Sequence, residues 1–185
     1  KRGAIRRRLQ ELRKLPRGLH VEGTNICNAK CVFCAYPQME RRKTTMSMED
    51  FRDVVDEYVE MGGRSVSLTP IVGDPFVDKH MFDRLDDLMP REAVRSISFY
   101  TNAILMTRDK SERLMAYAEK LHVHVSWGGF DAQTWNEIMG VSKFEAARDA
   151  VLDFIKVKEA AGSSIPFTLA LRCPASACRG ELWEQ

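Results

Sequence analysis

The chain is 185 residues long, 44% hydrophobic and 29% charged, with a formal net charge of +2. These are the values of a soluble globular protein with one sizeable core, or one domain and an appendage. They give no ground for nucleic acid or membrane as a partner; no apolar run is long enough to cross a bilayer, and no charged-then-apolar secretory leader is present.

Residues 1–18 form a basic lead. Lys1, Arg2, Arg6, Arg7, Arg8, Arg13, Lys14 and Arg17 stand against the single acid Glu11. A helix-prone run of this kind is read first as a solvated face and second as a contact for an acidic partner. Leu15-Pro16-Arg17-Gly18 breaks it. A first strand is expected over 19–24, followed by a loop holding Cys27, Cys31 and Cys34. Residues 41–45 are polar and read as loop. Ser47-Met48-Glu49-Asp50 is a helix-capping signal. Phe51, Val54, Val55 and Tyr58 then follow at helical spacing, until Gly62-Gly63 stops the helix. A second strand over 65–69 runs into Pro70-Ile71-Val72-Gly73-Asp74-Pro75. A helix near 79–89 presents Phe82, Leu85 and Met89 and ends at Pro90. The third strand, 95–101, leads to Asn102. A helix over 109–121 keeps Leu114, Tyr117, Ala118 and Leu121 in phase. The fourth strand, 122–127, leads to Gly128-Gly129. A short helix over 132–139 precedes a long one over 143–161, lined by Phe144, Ala147, Val151, Phe154 and Ile155. Gly162 caps the long helix, and a fifth strand covers 165–172.

Strand and helix alternate along the whole chain. At this spacing the pattern argues for an α/β fold with parallel strands joined by crossovers. The polar and glycine-bearing stretches fall where strands end, the edge that carries ligands in such folds. The pattern stops soon after the fifth strand. The sheet is therefore expected to be an open arc, or residues 173–185 an incomplete C-terminal segment.

The spacing of Cys27, Cys31 and Cys34 is C-x3-C-x2-C. Iron–sulfur cubanes normally take four cysteine thiolates, so three leave one iron open. An open metal position is where substrate or cofactor binds. The bland alternative is a zinc site or buried thiols. Structural zinc wants four closed ligands, and no further cysteine or histidine lies at zinc-finger spacing. Crowding at ligand spacing and an odd total of five cysteines argue for a reducing compartment, read as the cytoplasm, and against a disulfide framework. Cys173 and Cys178 are assigned no role: auxiliary-cluster ligands, a hydrogen donor and plain loop thiols all stay open for them.

The cysteine loop after a first strand, with Leu19-His20-Val21-Glu22-Gly23-Thr24-Asn25 before it, resembles the signature of the radical S-adenosylmethionine superfamily. The nearest branch often carries a SPASM or twitch extension. The resemblance covers about residues 15–172 and implies a partial (β/α)6 barrel with outer helices, of which five βα units are visible, with residues 19–172 as its core. It implies that Cys27, Cys31 and Cys34 ligate a [4Fe–4S] cluster, whose fourth iron is chelated by S-adenosylmethionine. Phe33 occupies the aromatic position that contacts adenine. Gly73-Asp74-Pro75 is similar to the Gly-Gly-Glu-Pro pattern that orients the methionyl amine, with Asp74 shorter than Glu. Asn102, in Thr101-Asn102-Ala103, resembles the asparagine of Thr-Asn-Gly. Ser126 stands where a polar residue meets the ribose or carboxylate, although Ser126-Trp127-Gly128-Gly129-Phe130-Asp131 departs from Ser-x-Asp-Gly. Arg172 is placed to meet a carboxylate. The activity implied is homolytic cleavage of S-adenosylmethionine to a 5′-deoxyadenosyl radical that abstracts hydrogen from a polar substrate, a peptide or natural-product precursor. An electron donor such as flavodoxin or ferredoxin follows from it, as does an auxiliary iron–sulfur cluster outside the present chain.

Period-two alternation adds one inference. If Ser126, Asn102, Arg172 and Thr24 point inward, so do His124, Tyr100, Ala170 and Glu22. Glu22, Tyr100 and His124 then become candidates to face a substrate. Against this stands the plain reading that barrel interiors bury satisfied polar residues for packing. For the whole protein, the rival is a non-catalytic iron–sulfur or zinc protein serving electron transfer, sensing or partner binding.

Overall fold

The structure, a computed structural model, describes residues 3–5, 16, 18–69 and 71–184. Most of the basic lead expected over 1–18 lies outside the described residues. Five strands form one sheet in the order β1 (Leu19–His20), β2 (Ser65–Ser67), β3 (Ser96–Thr101), β4 (Leu121–Trp127) and β5 (Phe167–Leu171), every pair parallel. Between them run α1 (Met48–Glu60), α2 (Met81–Leu88), α3 (Arg108–Leu114), α4 (Ala132–Met139) and α5 (Phe144–Ala160). A last helix, α6 (Glu181–Glu184), follows β5. This is the parallel α/β sheet that the alternation predicted, in the open-barrel form with five βα units that the resemblance implied. Among the described residues no helix is long and apolar enough to cross a membrane.

The two faces of the sheet have different chemistry. Val66, Ile97, Phe99, Leu121, Val123 and Val125 are buried against the helices. The alternate positions Ser67, Ser98, Tyr100, His122, His124 and Ser126 lie on the other face and are half-buried. Register lines these up across strands: Ser67 pairs with Ser98 and Ser98 with His122, while Tyr100 pairs with His124 and His124 with Thr168. Interiors of closed α/β barrels are dominated by bulky branched residues. Here the inner face is hydroxyls, imidazoles and a phenol.

Several expected details move. Ser47 caps α1 as its sequence predicts, its Oγ accepting from Asp50 N at 3.0 Å. Phe51, Val55 and Tyr58 are buried, but Val54 is exposed at the edge of the stripe. On α2 the buried face is Met81, Arg84, Leu85 and Leu88; Phe82 and Met89 are only partly buried. On α5, Val157 is buried where Ile155 was expected and Ile155 is half-buried. The helix expected over 109–121 ends at Leu114, tightens into a 3-10 turn at Met115–Tyr117, and yields Leu121 to β4. An apolar residue at a helix–strand junction fits both periodicities, so pattern alone could not divide them. The first strand is shorter than 19–24. After Val21 N donates to Ser67 O at 2.8 Å the chain leaves the sheet.

Arg84 explains part of that departure. It is buried on α2 and paired with buried Asp78 at 2.8 Å. Its Nη2 also donates to Met46 O at 2.6 Å and Gly23 O at 3.4 Å. A buried guanidinium is tolerated when paired and fully hydrogen-bonded. It staples α2 to the segments that enter and leave the cysteine loop.

Candidate functional site

The cysteine loop is held from three sides. Ile26 O accepts from Asp74 N at 3.0 Å, joining the loop to the turn after β2. On another side, Lys30 N donates to Met139 O and Val32 N to Ile138 O, both at 3.0 Å. The last carbonyls of a helix lack intrahelical partners, and here the cysteine loop supplies them. Gly140 ends α4 at φ 67°, and a β-carbon there would stand 2.2 Å from Lys30 O. Only glycine permits both the left-handed backbone and that approach. The third side is β3, through Asn102: its Nδ2 donates to Asn28 Oδ1 at 2.7 Å and lies 3.8 Å from Cys27 Sγ.

Asp74 organises the strand ends. It is buried, with Oδ1 accepting from Phe76 N at 3.0 Å and Oδ2 accepting from Asn102 N at 2.8 Å and Thr101 Oγ1 at 2.9 Å. Burial pushes this carboxyl above the ordinary range, while the three donors pull it back. The carboxylate is thus occupied by β3 and its own turn. Gly73, at φ 121°, sets the turn; a β-carbon there would meet Thr24 O at 2.5 Å.

A cavity of about 330 Å³ opens at these strand ends, within the usual range for small-molecule sites. Cys27, Cys31, Cys34, Phe33, Gly73, Asp74, Asn102, Ser126, Arg172 and Tyr100 all line it. Thr69, Ile71, Thr101 and Met139 also line it; Thr101 and Ile71 stand inside stretches the sequence marked without being assigned a role, and no motif marked Thr69 or Met139. His124 and Glu22 do not line it. His124 stacks on Tyr100 with ring centroids 4.4 Å apart, and His122 stacks on His124 at 3.9 Å. Glu22 is turned away: it pairs with Arg41 at 2.9 Å and accepts from Val72 N at 3.2 Å. Thr24, expected to point inward, is buried in an antiparallel bridge with Thr45. Arg172 lies 5.7 Å from the ring centres of both Phe33 and Tyr100, and its Nη2 donates to Ser126 Oγ at 3.5 Å. The departure after Ser126 has a local cause. Asp131 caps α4, its Oδ1 accepting from Thr134 N at 2.8 Å, so its carboxylate serves the helix that carries the cysteine loop.

The donor set fits an iron–sulfur cluster. Soft thiolates select such clusters. The lining residues include three cysteines, no fourth cysteine and no histidine, which leaves one metal position free. Burial pushes the Cys27 thiol up to about 11 and the Cys31 thiol up to about 12. These groups ionise at neutral pH only with a cation beside them, as a coordinated thiol does. Among the described residues no three His, Cys, Asp or Glu side chains close around a single ion, so the fit rests on donor chemistry and shared cavity. Cys173 and Cys178 are free thiols outside this lining.

The family comparison agrees with this geometry. A family model described as the Radical SAM superfamily matches residues 21–164. The GTP 3′,8-cyclase of Desulforamulus reducens is 27% identical over 129 residues, which cover 68% of this chain and 38% of that protein. The GTP 3′,8-cyclase of Pectobacterium atrosepticum is 26% identical over 149 residues, 76% of this chain and 44% of that one. The chain thus spans less than half the length of these relatives. Among solved structures, native anSMEcpe with bound AdoMet superposes with a TM-score of 0.66 at 20% identity, covering 83% of this chain and 43% of that one. BtrN in complex with AdoMet and 2-DOIA gives 0.58 at 17% identity, covering 84% and 57%. The matched stretch runs from the residue after β1 to the turn between α5 and β5, and the chain belongs to the radical SAM superfamily.

Proposed function

We propose that this chain is the catalytic barrel of a radical S-adenosylmethionine enzyme acting on a polar substrate. The observation that carries the reading is the convergence of Cys27, Cys31 and Cys34 with Phe33, Asn102, Ser126 and Arg172 on one cavity. When bound, the [4Fe–4S] cluster and S-adenosylmethionine supply a 5′-deoxyadenosyl radical for hydrogen abstraction.

The protein's own residues bind and orient. Cys27, Cys31 and Cys34 offer the three thiolates. Asn102 places an amide against Cys27, a contact that orients a ligand and tunes a metal centre. Phe33 offers an aromatic face at the cavity mouth. Arg172, near the Phe33 and Tyr100 rings and with no carboxylate partner among the described residues, offers its guanidinium to a carboxylate. Asp74 acts at one remove, fixing Asn102 and Thr101.

The inner face supports a polar substrate, a peptide or small natural-product precursor. Ser98, Tyr100, His122, His124 and Thr168 present hydrogen-bonding groups on the inner face, and Nδ1 of His124 is buried without a partner among the described residues. Such an atom calls for a ligand or water. An electron donor of the flavodoxin or ferredoxin type completes the proposal.

The test is anaerobic reconstitution, reduction with dithionite and addition of S-adenosylmethionine. Formation of 5′-deoxyadenosine is the expected result. A reconstituted, reducible cluster that yields none would favour the electron-transfer or sensing alternative. Protein that takes up zinc and no iron would favour a zinc site.

A further inference from the structure

The chain from Tyr36 to Thr45 returns beside the strand that enters the cysteine loop. Thr45 bridges to Thr24. Asn25 clasps the same segment: its Nδ2 donates to Arg42 O at 2.9 Å, and its Oδ1 accepts from Thr44 N at 2.7 Å. Asn25 N donates to Thr44 O at 3.1 Å. Arg41, Arg42 and Lys43 are thereby held, exposed, on a ridge alongside the cysteines. Lys30, between Cys27 and Cys31, is also exposed.

A chain of contacts leads inward from this ridge. Lys43 Nζ stands 5.3 Å from the ring centre of Tyr36, and Tyr36 N donates to Cys34 Sγ at 3.4 Å. The surface charge is therefore two contacts from a cluster ligand.

The charge here is not general background. The basic excess of residues 1–18 is larger than the whole chain's net +2, so the remainder of the chain is net acidic. Several exposed arginines elsewhere have carboxylate partners, as in Arg52–Asp87, Arg108–Glu112 and Arg113–Asp86; what sets the ridge apart is that its basic residues lie beside the cysteine loop. On the ridge, Arg41 is paired with Glu22 and Glu40 is exposed nearby. Arg42, Lys43 and Lys30 have no ion-pair partner among the described residues. An unpaired basic patch beside a buried redox centre is electrostatically matched to an acidic protein, and such patches set association rate and orientation.

We propose that Arg42, Lys43 and Lys30 form the docking surface for an acidic one-electron carrier protein that reduces the cluster. The carrier loses one electron and the cluster gains one; no covalent bond changes. The proposal rests on the radical enzyme reading.

The test uses the reconstituted holoenzyme and a flavodoxin. Binding of oxidised flavodoxin is measured by titration at low and high ionic strength, and S-adenosylmethionine cleavage is measured with reduced flavodoxin and, separately, with dithionite. In the double variant Arg42→Glu/Lys43→Glu, flavodoxin binding and flavodoxin-driven cleavage are expected to fall at least tenfold. Dithionite-driven cleavage stays as in the wild type. Wild-type binding weakens as salt screens the patch. The matched change Arg64→Glu/Arg95→Glu, on exposed residues at the opposite edge of the sheet, leaves flavodoxin binding unaltered. Wild-type-like binding by the ridge variant overturns the proposal, as does equal loss in the control, or a wild-type protein without salt-sensitive binding. Lack of dithionite-driven cleavage in the wild type sinks the enzyme reading instead, and the binding titration still decides the docking surface.

Discussion

Asp74 Oδ2 accepts the backbone N–H of Asn102 at 2.8 Å. This bond joins the turn after β2 to the end of β3, and Asn102 passes the constraint on to the cysteine loop through Asn28. The side chain that family resemblance puts near the cofactor's amine also fixes the strand ends through its own bonds, and its short reach suits that work. Asp74→Ala leaves two buried donors on β3 without their charged acceptor. The variant is expected to lose about 2–4 kcal/mol of stability, measured by urea unfolding of the metal-free protein. Wild-type stability in this variant would contradict the assignment.

Gly140→Ala tests the seat of the cysteine loop on α4. The left-handed backbone alone costs about 1–2 kcal/mol for a residue with a β-carbon. The added carbon also displaces Lys30 O, between two cysteines. The expected result is lower thermal stability together with reduced iron per chain after reconstitution. A variant that is destabilised yet loads iron fully would separate the helix end from the loop.

Burial of the thiols predicts slow alkylation in the metal-free protein. At pH 8 a thiol with a pKa of about 11 is ionised to about one part in a thousand, against about a quarter for an ordinary cysteine. Iodoacetamide should therefore modify Cys27 and Cys31 at least a hundredfold more slowly than free cysteine, and faster as pH rises towards 11. Peptide mapping by mass spectrometry reads both sites. Labelling at the free-cysteine rate would refute the burial argument.

His124 gives a pH dependence. Burial and the charge of His122 hold its imidazole below the ordinary value. The unfolded chain then binds a proton that the folded chain does not, so stability is full above about pH 6.5 and is lost as pH falls through the depressed value. Urea midpoints between pH 5 and 8 should fall more steeply on acidification in the wild type than in His124→Phe. Parallel curves would show that His124 does not carry the effect.

Arg172→Ala should leave unfolding within about 0.5 kcal/mol of wild type, since exposed positions rarely cost more. Affinity for S-adenosylmethionine or substrate should drop about tenfold, as removing a charged hydrogen bond does. Calorimetry on the reconstituted protein separates the two ligands. Unchanged affinity for both would leave the guanidinium without a role in binding.

Much of this was legible in the residues themselves. Periodicity located the helix over 132–139 to the residue and placed every strand, because one-sided burial imposes the pattern that is read. Ten of the twelve residues singled out line one cavity, because in parallel α/β folds strand ends gather at one edge. What sequence could not supply was partner choice. Glu22 alternates correctly for the interior, yet Arg41 and Val72 N take it. Asp74 occupies a motif position, yet its bonds run to β3. The seat of Lys30 and Val32 on the last carbonyls of α4 joins segments more than a hundred residues apart, and backbone groups leave no trace in side-chain pattern.

The central claim is that Cys27, Cys31 and Cys34 hold a cluster with one open iron facing the cavity. Electron paramagnetic resonance of the anaerobically reconstituted, reduced protein, before and after S-adenosylmethionine, tests it most directly. The account predicts a [4Fe–4S] signal that changes on addition and is absent from Cys31→Ala. A signal indifferent to S-adenosylmethionine, or an intact responsive cluster in Cys31→Ala, would contradict it.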